Sequence, residues 1–268
     1  MVLTTADELS QLKNDYGDWG KVLTINDFIE TIKADLSENQ FLRRNSRLVF
    51  SVCPDDVNRL EALDTIEDAL KENYDGEFHL GGLGAYPMGG VSGIIAASHH
   101  PPDNIIDGNR IGGNLIFFIS PHLGIIEKEE FLYGKIVRPG QQKITNSCGA
   151  MMGFLGALKE AGSAESFQIA PDPNDLDPTR IALHNALIQN YADTLNHILI
   201  LQNENQQIID MFKLNYNLVA SKAKKMIETF LQIEKDHFEG NIALIGGITV
   251  NTPAGDHFIL KEIAYPKL

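Results

Sequence analysis

The apolar positions of this chain fall into two kinds of segment, short unbroken runs and longer stretches with helical spacing. Ile25, Phe28, Ile29, Ile32 and Leu36 recur every three or four residues behind Thr24, a hydroxyl residue suited to a helix cap, and so predict a helix over 24–45. The run Arg47-Leu48-Val49-Phe50-Ser51-Val52-Cys53 has the length and β-branched content of a buried strand. Pro54-Asp55-Asp56 then opens a second helical pattern through Leu60, Leu63, Ile66 and Leu70. Cys53 therefore falls at a strand's carboxyl end. Residues 78–93 are dense in glycine and read as a shaping loop that brings backbone close to a ligand.

The run 114–120 is apolar almost throughout, the signature of a strand buried on both faces, and Pro121-His122-Leu123-Gly124 closes it. His122 thus also lies at a strand's carboxyl end. Met151, Met152, Phe154, Leu155 and Leu158 follow Cys148 at helical spacing, which puts Cys148 in that helix's first turn. An acidic, proline-bearing connector over 169–178 leads to a long helical region ending near His237, read as a helical cap or a dimer arm. Residues 241–250 and 257–263, joined by Pro253-Ala254-Gly255-Asp256, predict a C-terminal β-hairpin. Strands alternating with helices argue for an α/β sandwich with a mostly parallel central sheet and flanking helices. In such a sheet sites gather where strands end and helices begin. One domain over 1–268 is expected, with a core at 45–165 and the helical segment plus hairpin at 178–268.

Charge narrows the function. The 268 residues hold 22 Lys and Arg against 36 Asp and Glu, a net charge of −14 that repels a phosphate backbone, so nucleic acid is excluded as a partner. No apolar run reaches membrane-spanning length, and the start lacks a basic patch followed by an apolar stretch. A cytoplasmic protein is expected, or one of an organelle stroma or matrix after loss of a transit peptide. Cys53 and Cys148 are too few for a disulfide scaffold, so each is core filler, a catalytic thiol or a metal ligand.

Two thiolates and one imidazole are a usual donor set for zinc, and a catalytic zinc keeps a fourth position open. Cys53, His122 and Cys148 supply that count, with His99 and His100 as competing imidazoles; buried hydrophobes are the commoner role for two separated cysteines. Asp55 stands two residues after Cys53. A third possibility is Cys148 as a nucleophile for acyl transfer, its thiolate favoured by the helix start. Gly81-Gly82-Leu83-Gly84 lacks the lysine of a phosphate loop, so nucleotide binding is not expected.

The segments Ser51-Val52-Cys53-Pro54-Asp55, Pro121-His122-Leu123-Gly124-Ile125 and Ser147-Cys148-Gly149-Ala150 resemble the zinc motifs of β-type carbonic anhydrases. More closely, the stretch 48–158 resembles the limiting-CO2-inducible protein B family, a β-carbonic-anhydrase-like group. The resemblance lies in Phe78-His79-Leu80-Gly81-Gly82, His99-His100-Pro101-Pro102-Asp103, Gly134-Lys135-Ile136-Val137-Arg138-Pro139-Gly140-Gln141 and the cysteine segment. It implies a β-carbonic-anhydrase-like sandwich and a zinc enzyme hydrating CO2 to bicarbonate through zinc-bound hydroxide. Cys53, His122 and Cys148 would be the ligands and Asp55 the orienting carboxylate, in a homodimer. Two departures stand out. His122 and Cys148 are 148 − 122 = 26 residues apart, where ordinary β-carbonic anhydrases have them close together. The arginine expected beside the aspartate is replaced by Val57, so Asp55 must be held by Arg59 or by the more distant Arg138. Without that arginine, Asp55 would swing onto zinc, which predicts a pH-dependent closed form. His79, His99 or His100 would relay the product proton or are plain loop histidines, and Leu83, Tyr86 and Phe118 would line the pocket or are ordinary core and loop packing. A catalytically inactive zinc-binding partner protein is the remaining alternative.

Overall fold

A computed structural model describes residues 5–42, 45–59, 62–71, 77–100, 104–106, 109–111, 113–128, 130–138, 140–169, 174 and 176–267; at 58–59, 62–63, 71, 104–106 and 109–111 it describes backbone alone. In chain order these residues form α1 (Thr5–Tyr16), β1 (Lys21–Thr24), α2 (Ile25–Glu38), β2 (Ser46–Val52), a 3₁₀ turn (Asp56–Arg59), α3 (Ala62–Lys71) and β3 (Glu77–His79). A second 3₁₀ turn (Leu83–Ala85) precedes α4 (Gly90–Ser98), β4 (Asn104–Ile106), β5 (Asn109–Ile111), β6 (Asn114–Ser120) and β7 (His122–Glu127). Then come β8 (Phe131–Tyr133), β9 (Lys135–Val137), β10 (Ile144–Asn146), α5 (Gly149–Ala161), α6 (Pro178–Ile200), α7 (Glu204–Ile233), β11 (Ile242–Asn251) and β12 (His257–Ala264).

The sandwich expected from the sequence is present. One sheet runs β1-β12-β11-β6-β2-β3, with β7 and β8 joined to it through β11. Its centre is parallel, β11 to β6 to β2 to β3, and its margins at β1, β12 and β8 are antiparallel. Successive side chains of a strand point to opposite faces, and the two cores show it. Leu115, Phe117 and Ile119 enter the cluster under α4, α5, α6 and α7, while Ile116 and Phe118 enter the one under α2 and α3. The helix behind Thr24 starts as the cap predicts, the Thr24 hydroxyl oxygen accepting from Asp27 N at 3.2 Å, and ends at Glu38. The long helical region is two helices: α6, kinked at Tyr191, and α7, whose buried face of Phe212, Tyr216, Val219, Ile227 and Phe230 covers its own chain's sheet.

Three local readings change. The stretch 78–93 is not all loop, since it contains the end of β3 and the start of α4, short elements that its glycines conceal. The helix after Pro54 begins as a 3₁₀ turn. Pro121 does not end its strand: β6 and β7 lie along β11 in one continuous register, Ile119 opposite Gly246 and His122 opposite Thr249. Proline cannot donate to the ladder, but its carbonyl still accepts from Thr249 N at 3.0 Å. What changes at Pro121 is the other neighbour, β2 before it and β8 after it. Leu60, Pro101, Pro102, Asp103, Pro139, and Pro171, Asp172, Pro173 and Asp175 of the connector lie outside the described residues, as does the side chain of Leu63. No described helix is long and apolar enough to cross a membrane.

Candidate metal centre

The change of neighbour at Pro121 opens a gap at the parallel strands' carboxyl ends, and three side chains fill it. The last β2–β6 pair is Val52 opposite Ser120, so Cys53 leaves the sheet one residue past that pair, while His122, two residues past it, loses β2 as a neighbour but stays paired with Thr249 of β11. Cys148 arrives from the far side. The chain after β7 returns through β8, β9 and β10, and Ser147 N donates to Gly134 O at 3.0 Å. A Cβ on Gly124 would stand 2.5 Å from Ser147 Cβ and 2.7 Å from Lys135 O, so only glycine lets this return lie against β7. Cys148 is then the N-cap residue of α5, one position before the first turn.

The Cys53, His122 and Cys148 donor atoms all lie within 4.8 Å of one another. Relative exposure is 2% for Cys53 and 0% for the other two, and neither cysteine is in a disulfide. The Cys148 thiol donates to the Cys53 sulfur; this lowers the Cys53 pKa well below its usual value and, with burial, raises that of Cys148. Burial pushes the His122 pKa down, and the Cys53 sulfur and Asp55 carboxylate outweigh it, so the net shift is upward. His122 Nδ1 is 3.1 Å from Asn251 Oδ1, while Nε2 is buried without a hydrogen-bond partner.

Asp55 lies just outside, its Oδ2 3.8 Å from His122 Nε2. Arg138 grips it with both arms of its guanidinium, Nη1 to Oδ1 at 2.7 Å and Nη2 to Oδ2 at 3.1 Å. Burial alone would raise the Asp55 pKa; the Arg138 bonds, with His122 beside them, hold it below the ordinary carboxylate value. Arg138 also donates to Asp56, and to the carbonyls of Asn146 and Ser147 at 3.3 Å, tying the segment before Cys148 to the segment after Cys53. The expected partner Arg59 closes the first 3₁₀ turn, and its side chain lies outside the described residues; the guanidinium on Asp55 is that of Arg138.

The limiting-CO2-inducible proteins B/C β-carbonic anhydrase family matches residues 22–265. The chain belongs to this family. Solved structures similar to it include PtLCIB4 and LCIB. PtLCIB4, a homologue of the limiting CO2-inducible protein LCIB, has 24% identity and a TM-score of 0.76, over 97% of this chain and 95% of that one. LCIB itself has 17% identity and a TM-score of 0.67, over 96% and 98%. No curated protein sequence matches the chain significantly. The family is β-carbonic-anhydrase-like, and the cysteine-histidine-cysteine cluster fits a zinc site. The fit is chemical: two buried thiols and a buried imidazole nitrogen with no hydrogen-bond partner converge within 4.8 Å, the donor set of a zinc site.

The competing histidines stand elsewhere. His99 is the C-cap of α4, and the carbonyl of His100 accepts from Arg47; both side chains are exposed. His79 stacks on Phe50 at the end of β3 and groups with Glu67 and Glu77, whose donor atoms lie within 4.8 Å of its own. Of the residues expected to line a pocket, Phe118 is packed among Phe28, Phe50 and Phe258 on the α2 face, an ordinary core position. Leu83 and Tyr86 sit in or against the opposite core. Asn251 escaped the sequence reading because 129 residues separate it from His122, and only the pairing of β11 with β7 brings it there.

Proposed function

We propose that this chain is a zinc-dependent carbonic anhydrase that interconverts CO2 and bicarbonate. Cys53, His122 and Cys148 would hold the metal, and Asp55, oriented by Arg138, would stand beside it. The observation that carries the reading is the convergence of three buried donors with an arginine-clamped carboxylate 3.8 Å from the imidazole nitrogen. When bound, zinc supplies a Lewis acid that brings the pKa of water close to neutrality.

The chain's own residues supply the rest. Cys53, His122 and Cys148 would supply the three protein donors of a catalytic zinc. Arg138 keeps Asp55 ionised, hence an acceptor only. Asp55 would therefore accept a hydrogen bond from the reacting water and so orient a lone pair toward the carbon of CO2. In the reverse direction the same carboxylate accepts the hydroxyl of bicarbonate and disfavours anions without one. Hydration releases one proton, and the exposed imidazoles of His79, His99 and His100 are available to pass it to solvent. The acyl-transfer reading loses its nucleophile, because Cys148 is fully buried with its thiol pKa raised.

We place the activity in one domain spanning 1–268, since residues from Cys53 to Asn251 converge on one sheet. Two cysteines outside any disulfide suit a reducing compartment, cytoplasmic or the interior of an organelle. A homodimer is supported by Val137 and Ile144, opposite one another on β9 and β10 beside Arg138 and 47% and 37% exposed. The test is zinc per chain together with stopped-flow CO2 hydration, for the wild type and Cys148→Ser prepared alike. About one zinc with measurable hydration, both lost in the variant, is the expected result. Zinc without hydration would leave a metal-binding partner protein, and no zinc would overturn the reading.

A further inference from the structure

We infer that Asn251 and Asp256 are positioning residues that set the tautomer of His122 and thereby its competence as a metal ligand, an inference that rests on the metal-site reading above. A chain of hydrogen bonds runs from the tip of the hairpin to the buried imidazole. Asn251 ends β11, 2% exposed, opposite Gly124 of β7. Its Nδ2 donates to Asp256 Oδ2 at 3.1 Å, and its Oδ1 is 3.1 Å from His122 Nδ1. The other carboxylate oxygen of Asp256 accepts from Thr252 N at 3.0 Å, and the Thr252 hydroxyl donates to the buried Glu8 Oε2 at 2.5 Å, which fastens the turn to α1.

Each link leaves one choice to the next. An ionised carboxylate only accepts, so the Asn251 amide must turn its NH2 toward Asp256. That turns its carbonyl oxygen, also an acceptor only, toward His122. Nδ1 must then carry the hydrogen. Neutral His122 is left with its lone pair on Nε2, the buried nitrogen that has no partner and stands among Cys53, Cys148 and Asp55. With the amide reversed, an oxygen would face the Asp256 carboxylate and the imidazole hydrogen would move to Nε2, where it blocks a metal. A carboxylate 134 residues from His122 in sequence thus fixes which nitrogen is free, as outer partners of metal-bound histidines do.

The test uses two variants of the full chain. Asp256→Asn presents its NH2 to Asn251 when its oxygen stays on Thr252 N, and an oxygen only when that bond is given up, so the reversed Asn251 amide becomes competitive; Asn251→Leu removes the acceptor. ¹⁵N-histidine NMR of the metal-stripped chain, at a pH high enough for His122 to be neutral, reads the tautomer, with the His122 signals identified by their loss in His122→Gln. The wild type is expected to carry the hydrogen on Nδ1 and both variants to show a mixture. Competition with a chromophoric chelator then reads zinc affinity, expected to weaken about 10- to 100-fold in both variants, while the melting temperature of the metal-stripped Asp256→Asn chain stays near the wild type's. Variants that keep the hydrogen on Nδ1, or keep zinc affinity within about twofold, would overturn the inference. So would an affinity loss that merely follows a loss of stability with the tautomer unchanged. A wild type that binds no zinc would overturn the metal reading alone, and the tautomer would still decide the role of Asn251 and Asp256.

Discussion

Arg138→Met should damage stability and activity together, and its pH dependence identifies the cause. The side chains of Arg138 and Asp55 are only 19% and 14% exposed, so solvent screens their pair weakly. Removing the guanidinium leaves a desolvated carboxylate without its two charge-assisted bonds, a loss of about 3 kcal/mol for a partly buried pair. The bond to Asp56 adds little, because Asp56 is 71% exposed. The sign follows from the direction of the shift. A carboxyl whose folded pKa is depressed contributes stability that is present above its unfolded pKa and lost as pH falls through the folded value. In the variant, burial is opposed by His122 but no longer by the guanidinium, so the pKa rises and protonation relieves the unpaired charge as the pH drops. Urea unfolding of the metal-stripped proteins should show the full difference near pH 7 and a shrinking one toward pH 4. Arg138→Lys keeps the charge but not the fork and should lose about half as much. With Asp55 unoriented, kcat/KM for CO2 hydration in the zinc-loaded protein should fall roughly 30- to 300-fold, equivalent to about 2–3.4 kcal/mol of transition-state stabilisation. A stability difference under about 0.5 kcal/mol, or one independent of pH, would refute the reasoning. So would an equal loss in Arg59→Met with Arg138→Met unaffected.

Three further outcomes are expected. His184, 7% exposed and packed against Phe154 and Phe167, has its pKa lowered by burial and by the nearby Arg180 to about 4, so stability should fall as the pH drops from 6.5 toward that value. The loss is up to about 3 kcal/mol, and urea unfolding of His184→Leu at pH 5 and 7 should no longer show it. Gly124→Ala forces Ser147 and the Lys135 carbonyl away from β7 and should cost about 1–3 kcal/mol in thermal unfolding, with weaker zinc retention against a chelator. Diamide, which is reduced to the hydrazine as the two thiols give up their hydrogens, should join Cys53 to Cys148 in the metal-stripped protein and abolish both thiols in a DTNB titration; zinc-loaded protein should be protected.

The parts legible in the sequence were those carried by local pattern. Residues 114–120 announce a strand because 115–119 are all apolar, and Thr24 announces a helix because its hydroxyl oxygen caps one. β7 was hidden because Pro121 reads locally as a stop, whereas β11 carries the register across it. Site residues divide along the same line. Cys53 could be placed because a strand end is a local feature and Cys148 because a helix start is one, whereas His122, read as following a strand's end, lies inside the ladder as the first residue of β7. The arginine on Asp55 could not be chosen by proximity in sequence. Arg59 is four residues away and Arg138 is 83, yet Arg138 grips the carboxylate, since the chain returns beside β7 where Gly124 admits it. The same sheet register governs the whole site. Val52 opposite Ser120 aligns Cys53 with His122, and Thr249 opposite His122 aligns Asn251 with its ring. A slip of one residue in either ladder would turn every buried side chain of that strand to the other face. The apolar packing of both cores therefore does more than stabilise the sheet: by fixing the register it also fixes, within the width of one residue, where the metal donors meet.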